Sequence, residues 1–215
     1  MTMTQSVHCF VFDSLSDWEP GFAIAGINSP LYQREPGRYA IRTFSLDGAP
    51  VTTTGGWRIV PDLALRDVEP AESAMLLISG GTAWDEEKNG EVAELAGRFL
   101  AAGVPVAAIC GATAGLARAG LLDDRPHTSN AREYLAATRY AGGEHYRDEP
   151  VVVAGNLITA SAMSSLEWAR AVFERLELYQ PTVLEAWFKL FSTKRPEHFA
   201  ELMAAAGAPA GAAVT

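Results

Sequence analysis

The apolar positions of this chain fall into short runs separated by polar, Gly-marked or Pro-marked breaks. Val7 to Phe12 is an almost continuous apolar run rich in strand formers that closes at Asp13-Ser14, and an apolar segment from Trp18 to Ile27 follows, stopping before Pro30. This pattern predicts a buried strand feeding a helix. Tyr39 to Leu46 is a second strand-like run ending at Asp47-Gly48, and Thr52 to Val60 passes through Gly55-Gly56 to Pro61-Asp62, as a hairpin-like excursion and a turn would. Met75 to Ile78 is a short apolar run closed by Ser79-Gly80-Gly81-Thr82, and Glu91 to Leu100 places Val92, Leu95 and Phe99 on one helical face before Gly103. Val104 to Ile109 reads as the next strand, and Ala112 to Ala119 as a small-residue helix ended by Gly120.

Tyr140 to Thr159 predicts two or three short strands around Gly155-Asn156, and Met163 to Leu178 carries Leu166, Ala169, Val172, Phe173 and Leu176 at helical spacing. Strands separated by helices need crossover connections, so the order implies an α/β fold with a mainly parallel sheet covered by helices on both faces. In such folds functional groups gather at the carboxyl ends of the strands. Pro181 and Pro196 each open a further helix, Thr182 to Phe191 and Glu197 to Ala206. The first presents Val183, Leu184, Trp187, Phe188 and Phe191 to an apolar partner, either its own domain or a second subunit, and a homodimer is expected. The expected organisation is one domain over 1–179, C-terminal helices of the same domain over 180–206, and an Ala-, Gly- and Pro-rich frayed tail over 207–215.

Composition narrows the function classes. With 215 residues, of which 48% are hydrophobic and 20% charged, the chain can bury a core without disulfides or metals. Its formal net charge of −9, with no run of Lys or Arg, argues against nucleic-acid or anionic-membrane partners and favours a small-molecule substrate. The start, MTMTQSVHCF, has neither a basic segment nor a long apolar core, and no stretch has the length of a membrane span, so a cytoplasmic protein is expected. No phosphate loop or metal-ligand cluster is visible, and the four scattered histidines, His8, His127, His145 and His198, do not make one, so neither a cofactor nor a metal is expected.

The two cysteines differ in position. Cys9 lies near the start of its strand and reads as core, with His8 beside it. Cys110 lies between the strand Val104 to Ile109 and the following helix, so the chain must turn sharply at the cysteine itself, as at a nucleophile elbow. The neighbours Ala108, Gly111 and Ala112 are small enough for that turn, and a helix N-terminus favours a thiolate. A plain buried cysteine is the alternative. Gly80-Gly81 would let backbone amides approach a ligand and donate to a developing oxyanion together with Gly111, or serve only as a turn. Asp17 and Glu19 would reach the same rim, or simply complement a helix N-terminus.

Taken together, these segments resemble the DJ-1/PfpI (ThiJ/PfpI) superfamily of class I glutamine amidotransferase-like proteins. The carriers, in order, are Phe10-Val11-Phe12-Asp13 with Trp18-Glu19, Val60-Pro61-Asp62-Leu63, Leu77-Ile78-Ser79-Gly80-Gly81, Ala107 to Thr113 around Cys110, and Leu157-Ile158-Thr159-Ala160 before Leu166-Glu167. The resemblance implies a flavodoxin-like three-layer sandwich, Cys110 as nucleophile, and Glu19 as a partly protonated carboxyl bonded to its sulfur. It further implies Gly81 and Gly111 as oxyanion amides, and frequent homodimers. Members with hydrolase activity usually carry a histidine in a Thr-Thr-His-like segment downstream of the elbow; here the segment is Arg125-Pro126-His127-Thr128-Ser129-Asn130, with Asn130 at the histidine's place and His127 three residues earlier. Two functions follow: a cysteine-dependent amidase-like hydrolase or lyase, or a non-enzymatic redox-sensing protein that uses oxidation of the same cysteine.

Overall fold

Strands that are apolar on both faces need cover on both sides, and that requirement sets the three layers. The computed structural model describes residues 4–207. Its central sheet has the order β5-β2-β1-β6-β7-β9-β8, with β1 at Gln5–Phe10, β2 at Tyr39–Ser45, β5 at Leu63–Ala64, β6 at Ser73–Ile78, β7 at Val106–Ile109, β8 at Val151–Ala154 and β9 at Leu157–Ala160. All neighbours are parallel except β8 and β9, which form an antiparallel hairpin at one edge. A separate two-stranded ribbon, β3 (Val51–Thr52) with β4 (Arg58–Ile59), is the excursion expected around Gly55-Gly56.

The period-two alternation of the strands divides the core. Phe10, Leu76, Ile78, Val106 and Ala108 face one layer, which contains α2 (Gly90–Ala101) and α3 (Gly111–Arg118). Val7, Cys9, Met75, Leu77, Ala107 and Ile109 face the other, which contains α1 (Gly21–Asn28), α5 (Ser165–Arg175) and α6 (Pro181–Thr193). This is the flavodoxin-like sandwich, and α6 with α7 (Glu197–Ala205) forms the C-terminal helical addition. No helix among the described residues is long and apolar enough to cross a membrane. Of the expected tail, all but Gly207 lies outside the described residues.

Three expectations are corrected. The first helix begins at Gly21 rather than Trp18, because Pro20 biases Glu19 away from helical angles; Trp18 and Glu19 therefore sit in a turn ahead of the helix. The segment from Tyr140 contains no strand before β8. The two strands expected around Gly155-Asn156 are β8 and β9; ahead of them lies a short 3-10 turn at Gly143–His145, Tyr146 makes an isolated parallel bridge with His127, and Tyr140 and Tyr146 stack edge-on to the buried His127 ring. A short helix, α4 (Arg132–Ala136), precedes this turn without having been foreseen.

The third correction concerns α6, most of whose apolar face packs within its own chain, with Phe191 left 41% exposed. Trp187 packs edge-on against Phe22 and Phe173, Val183 and Leu184 are buried beside it, and the Arg170 guanidinium covers the Phe188 ring at 4.5 Å. The packed face therefore carries no argument for a second subunit.

Two mid-helix glycines look alike in sequence and differ in packing. A Cβ at Gly97 would meet Leu121 at an ordinary 3.5 Å, whereas one at Gly115 would lie 2.2 Å from the Trp84 ring. Gly97→Ala is therefore expected to raise stability by about 1 kcal/mol through helix propensity. Gly115→Ala is expected to lower it, because crowding a close-packed core costs roughly 1–3 kcal/mol. Urea midpoints of the two variants check this, and a shift of the same sign in both would refute the packing argument.

Candidate active site

The site forms where β6 and β7 end side by side. Cys110 follows β7 directly and caps α3 with φ 59° and ψ −128°, a left-handed conformation that costs a non-glycine residue of order 1–3 kcal/mol. Backbone and hydroxyl bonds hold it there. The Cys110 N–H donates to the Ala160 carbonyl on β9 at 3.0 Å, and the Cys110 carbonyl accepts from both the Thr113 N–H at 3.0 Å and the Thr113 hydroxyl at 2.5 Å. The Thr113 hydroxyl is itself 2.6 Å from that of Ser129, which ties the elbow to the loop that carries Asn130.

The adjacent strand end can approach only because it lacks side chains. A Cβ on Gly80 would stand 2.7 Å from the Cys110 sulfur and 2.8 Å from the Gly111 nitrogen, and one on Gly81, whose φ is 156°, would lie 2.2 Å from the Ser14 carbonyl oxygen. The Ser14–Glu19 loop is stitched to the same place: the Ser16 N–H donates to the Gly80 carbonyl at 3.0 Å, and the Gly80 N–H donates to Glu19 Oε2 at 2.5 Å. Gly80 thus gives its amide to Glu19, which leaves Gly81 and Gly111 as the glycines of the pair named for an oxyanion. Below them Trp84 is buried, donates from its indole N–H to the Ser79 carbonyl at 2.8 Å, and lies flat enough that only glycine fits at 111 and 115 without crowding it.

Each acid has a distinct place. Glu19 is 0% exposed; its Oε1 forms no complete hydrogen bond, and the group beside it is the Cys110 thiol. Asp17 points away, accepting from the Gly55 N–H at 2.6 Å, so it clips the β3–β4 ribbon to the site loop rather than facing the sulfur. Asn130 reaches the sulfur: its Nδ2 donates to Cys110 Sγ at 3.4 Å while its Oδ1 accepts from the Ala162 N–H at 2.9 Å. The second bond fixes which end of the amide faces the thiol. His127 does not reach Cys110. Its fully buried ring is held by the Arg125 carbonyl at 2.8 Å and the Tyr140 hydroxyl at 3.0 Å, and burial keeps its pKa below the usual value. Sequence reasoning missed the Ala162 amide, Ser129 and Thr113, which act through tertiary contacts that carry no local signal.

The electrostatics correct the expectation that position at a helix N-terminus would activate the thiol unaided. Burial pushes the Glu19 carboxyl up to about 7, against the Gly80 amide and the Cys110 thiol, which pull it down. Burial and the Glu19 carboxylate push Cys110 up to about 12, against Asn130 and the Gly111 amide. The repulsion exists only while Glu19 is ionised, so carboxyl and thiol titrate as a pair that retains one proton between these values. When that proton sits on Glu19, the repulsion between carboxylate and thiolate disappears, burial alone still opposes the thiolate, and the carboxyl becomes a donor toward sulfur. Cys9, fully buried in the core, is raised to about 12 by burial alone and has no such partner. Among the described residues no group of three or more His, Cys, Asp or Glu is placed to hold a metal ion.

A parallel α/β sandwich with a cysteine in a strained strand-to-helix turn, faced by a Gly-Gly strand end and a buried carboxyl, is the architecture of the cysteine-elbow class of α/β proteins. The chain belongs to the DJ-1/PfpI family, whose sequence model matches residues 5–175. It is 37% identical over 203 residues to the protein named "Uncharacterized protease YoaZ" from Bacillus subtilis (strain 168), covering 93% of this chain and 97% of that one. The crystal structure of the thiJ/pfpI family protein from Bacillus anthracis superposes with a TM-score of 0.88 at 38% identity, over 95% of this chain and 98% of that chain. A more distant relative, "Deglycase PfpI" from Pyrococcus furiosus, is 27% identical over 150 residues, 69% of this chain and 89% of that one.

The raised Glu19 value has a consequence for stability. Between its ordinary 4.5 and about 7 the folded chain holds a proton that the unfolded chain has released, so this group makes stability fall as pH rises through that window. Glu19→Gln removes the penalty: the stability of the variant relative to the native chain should grow by up to about 3 kcal/mol between pH 4.5 and pH 8. Urea unfolding of both proteins across that range reads the difference, and a pH-independent gap would contradict the assignment.

Proposed function

We propose that this protein is a cysteine-dependent hydrolase or lyase acting on a small molecule, with Cys110 as nucleophile, Glu19 as proton carrier, and the Gly81 and Gly111 amides as donors to the developing anion. The observation that carries the reading is the juxtaposition at one strand end of a strained, half-buried cysteine, a fully buried carboxyl and a fixed amide donor. In the proposed step the sulfur lone pair forms a bond to an electrophilic carbon, the π electrons of its C=O or C–N multiple bond move to the heteroatom, and Glu19 supplies the proton. The names protease and deglycase borne by relatives support a hydrolase-like role.

The position at which a histidine would serve amide hydrolysis holds Asn130, and His127 is engaged elsewhere. Absence of that base removes a contribution of roughly 10² to 10⁴ in rate, which favours substrates that need only a thiolate and a carboxylic acid, such as α-oxoaldehydes or carbon–nitrogen multiple bonds. The same absence favours a second reading, in which Cys110 is an oxidation sensor whose sulfur takes up oxygen from peroxide.

Replacement of Cys110 by Ser or Ala separates these readings. With a panel of amides, glutamine, isonitriles and α-oxoaldehydes, the enzyme reading expects turnover of at least one compound to drop at least about a thousand-fold while circular dichroism stays native. Cys110-independent turnover, or none at all, removes it. Under mild peroxide, intact-mass and peptide spectra should then place added oxygen on Cys110 and not on Cys9; equal oxidation of both would remove the sensor as well.

The buried part of α6 is not available to a homodimer, which would draw on exposed apolar groups. Trp57 and Val60, 73% and 72% exposed on either side of β4, are close in sequence, and we assign them to a subunit contact. Light scattering at micromolar protein should give twice the chain mass and revert toward monomer in Trp57→Ser with Val60→Ser. A monomer mass for the native chain would remove the assignment.

A further inference from the structure

Two loops supply the groups around the Cys110 sulfur, and a side-chain bond outside the site joins them. The first loop runs from Gly80-Gly81 through the 3-10 turn Thr82–Trp84 to Asp85, with Trp84 lying against Gly111. The second carries Asn130 and continues into α4, where Tyr134 stands one helical turn beyond it. The Tyr134 hydroxyl donates to Asp85 Oδ1 at 2.6 Å. The other side-chain hydrogen bonds made by α4 residues run from Arg132 to the Gly143 and Tyr146 carbonyls, away from the glycine loop. Ser129 and Thr128 anchor the chain ahead of Asn130, through the Thr113 hydroxyl on one side and the Thr159 hydroxyl and Glu149 carbonyl on the other. Asn130 itself is exposed and held by its own two bonds; beyond it Leu135 and the Tyr134 ring pack on the core layer that holds Ala83 and Trp84, and the side-chain hydrogen bond to the glycine loop is the Tyr134–Asp85 pair.

We propose that the Tyr134–Asp85 hydrogen bond is a latch that positions Asn130 against the Cys110 sulfur. The inference rests on the reading of Cys110 as the reactive thiol. Tyr134 is a positioning residue: its phenol, raised in pKa first by burial and then by Asp85, is a donor at neutral pH and holds the second loop down. With the latch open, the Asn130 amide keeps its Ala162 anchor but loses the restraint from its C-terminal side, and a donor that favours the thiolate is weakened.

The test is the rate of Cys110 alkylation by iodoacetamide across a pH series, read by peptide mass spectrometry with buried Cys9 as internal control. Tyr134→Phe removes one hydroxyl and should slow alkylation at pH 7 roughly five-fold, the effect of one ordinary hydrogen bond, and move the inflection to higher pH. Asn130→Ala should do at least as much, and the double variant should be no slower than Asn130→Ala alone, because the latch acts through Asn130. Asp85→Asn keeps an acceptor and should retain the native rate; Asp85→Ala should behave as Tyr134→Phe does, and it carries the test should Tyr134→Phe not fold. Native rates in Tyr134→Phe and Asp85→Ala, or effects of Tyr134 and Asn130 that multiply, overturn the latch alone. A native Cys110 no more reactive than Cys9 overturns the reactive-thiol reading and the latch with it.

Discussion

The contact between the bare backbone of Gly80 and the Cys110 turn is the constraint on which the site depends. Parallel strands deliver β6 and β7 to the same edge of the sheet, but two chain ends with ordinary side chains could not close to this distance; even one carbon at Gly80 would overlap the sulfur. Because Gly80 is bare, its N–H is free to hold the Glu19 carboxylate, and the carboxylate is thereby brought to the thiol. The bulky Trp84 plays the complementary part: its ring forms a floor for Gly111 and Gly115, so α3 starts close beneath the glycine loop. Steric vacancy at three glycines and bulk at one tryptophan together fix a distance that no single hydrogen bond would hold.

Electrostatics then follow from burial rather than from the helix terminus. A lone cysteine at this helix start would have had its thiolate favoured by the amides alone. Enclosure reverses part of that benefit, raising both members of the pair, and the outcome is a shared proton instead of a permanently ionised sulfur. The orientation of Asn130 matters in the same balance, since its oxygen is committed to the Ala162 N–H and only its donor end is offered to sulfur.

Much of this arrangement was legible in the sequence, for identifiable reasons. The apolar runs of β1, β6 and β7 are short, strongly patterned and bounded by Gly or Asp, so the strands and the cysteine turn after β7 could be placed within a few residues. The Gly80-Gly81 pair and Glu19 were ambiguous by residue type, since glycines also make turns and acids also complement helix N-termini, and only their order along the chain with the other family segments singled them out. The segment between Leu122 and Pro150 was not legible. Its short helix α4 and irregular path are fixed by the His127 ring between two tyrosines and by Arg132 capping distant carbonyls, contacts that no local period encodes. The fate of α6 was similarly hidden: its amphipathic face was evident, but which surface it would cover depended on the fold of α1 and α5.

Toward the sulfur Asn130 offers only a donor, and Glu19 is wholly out of contact with solvent. A proton that leaves the sulfur therefore has one neighbouring protein group able to receive it, and that carboxyl is enclosed by the fold. In the proposed reaction the pair would serve as a store rather than a relay: what is taken from one bond is held on an enclosed carboxyl beside the half-buried sulfur, in place for return to the same molecule.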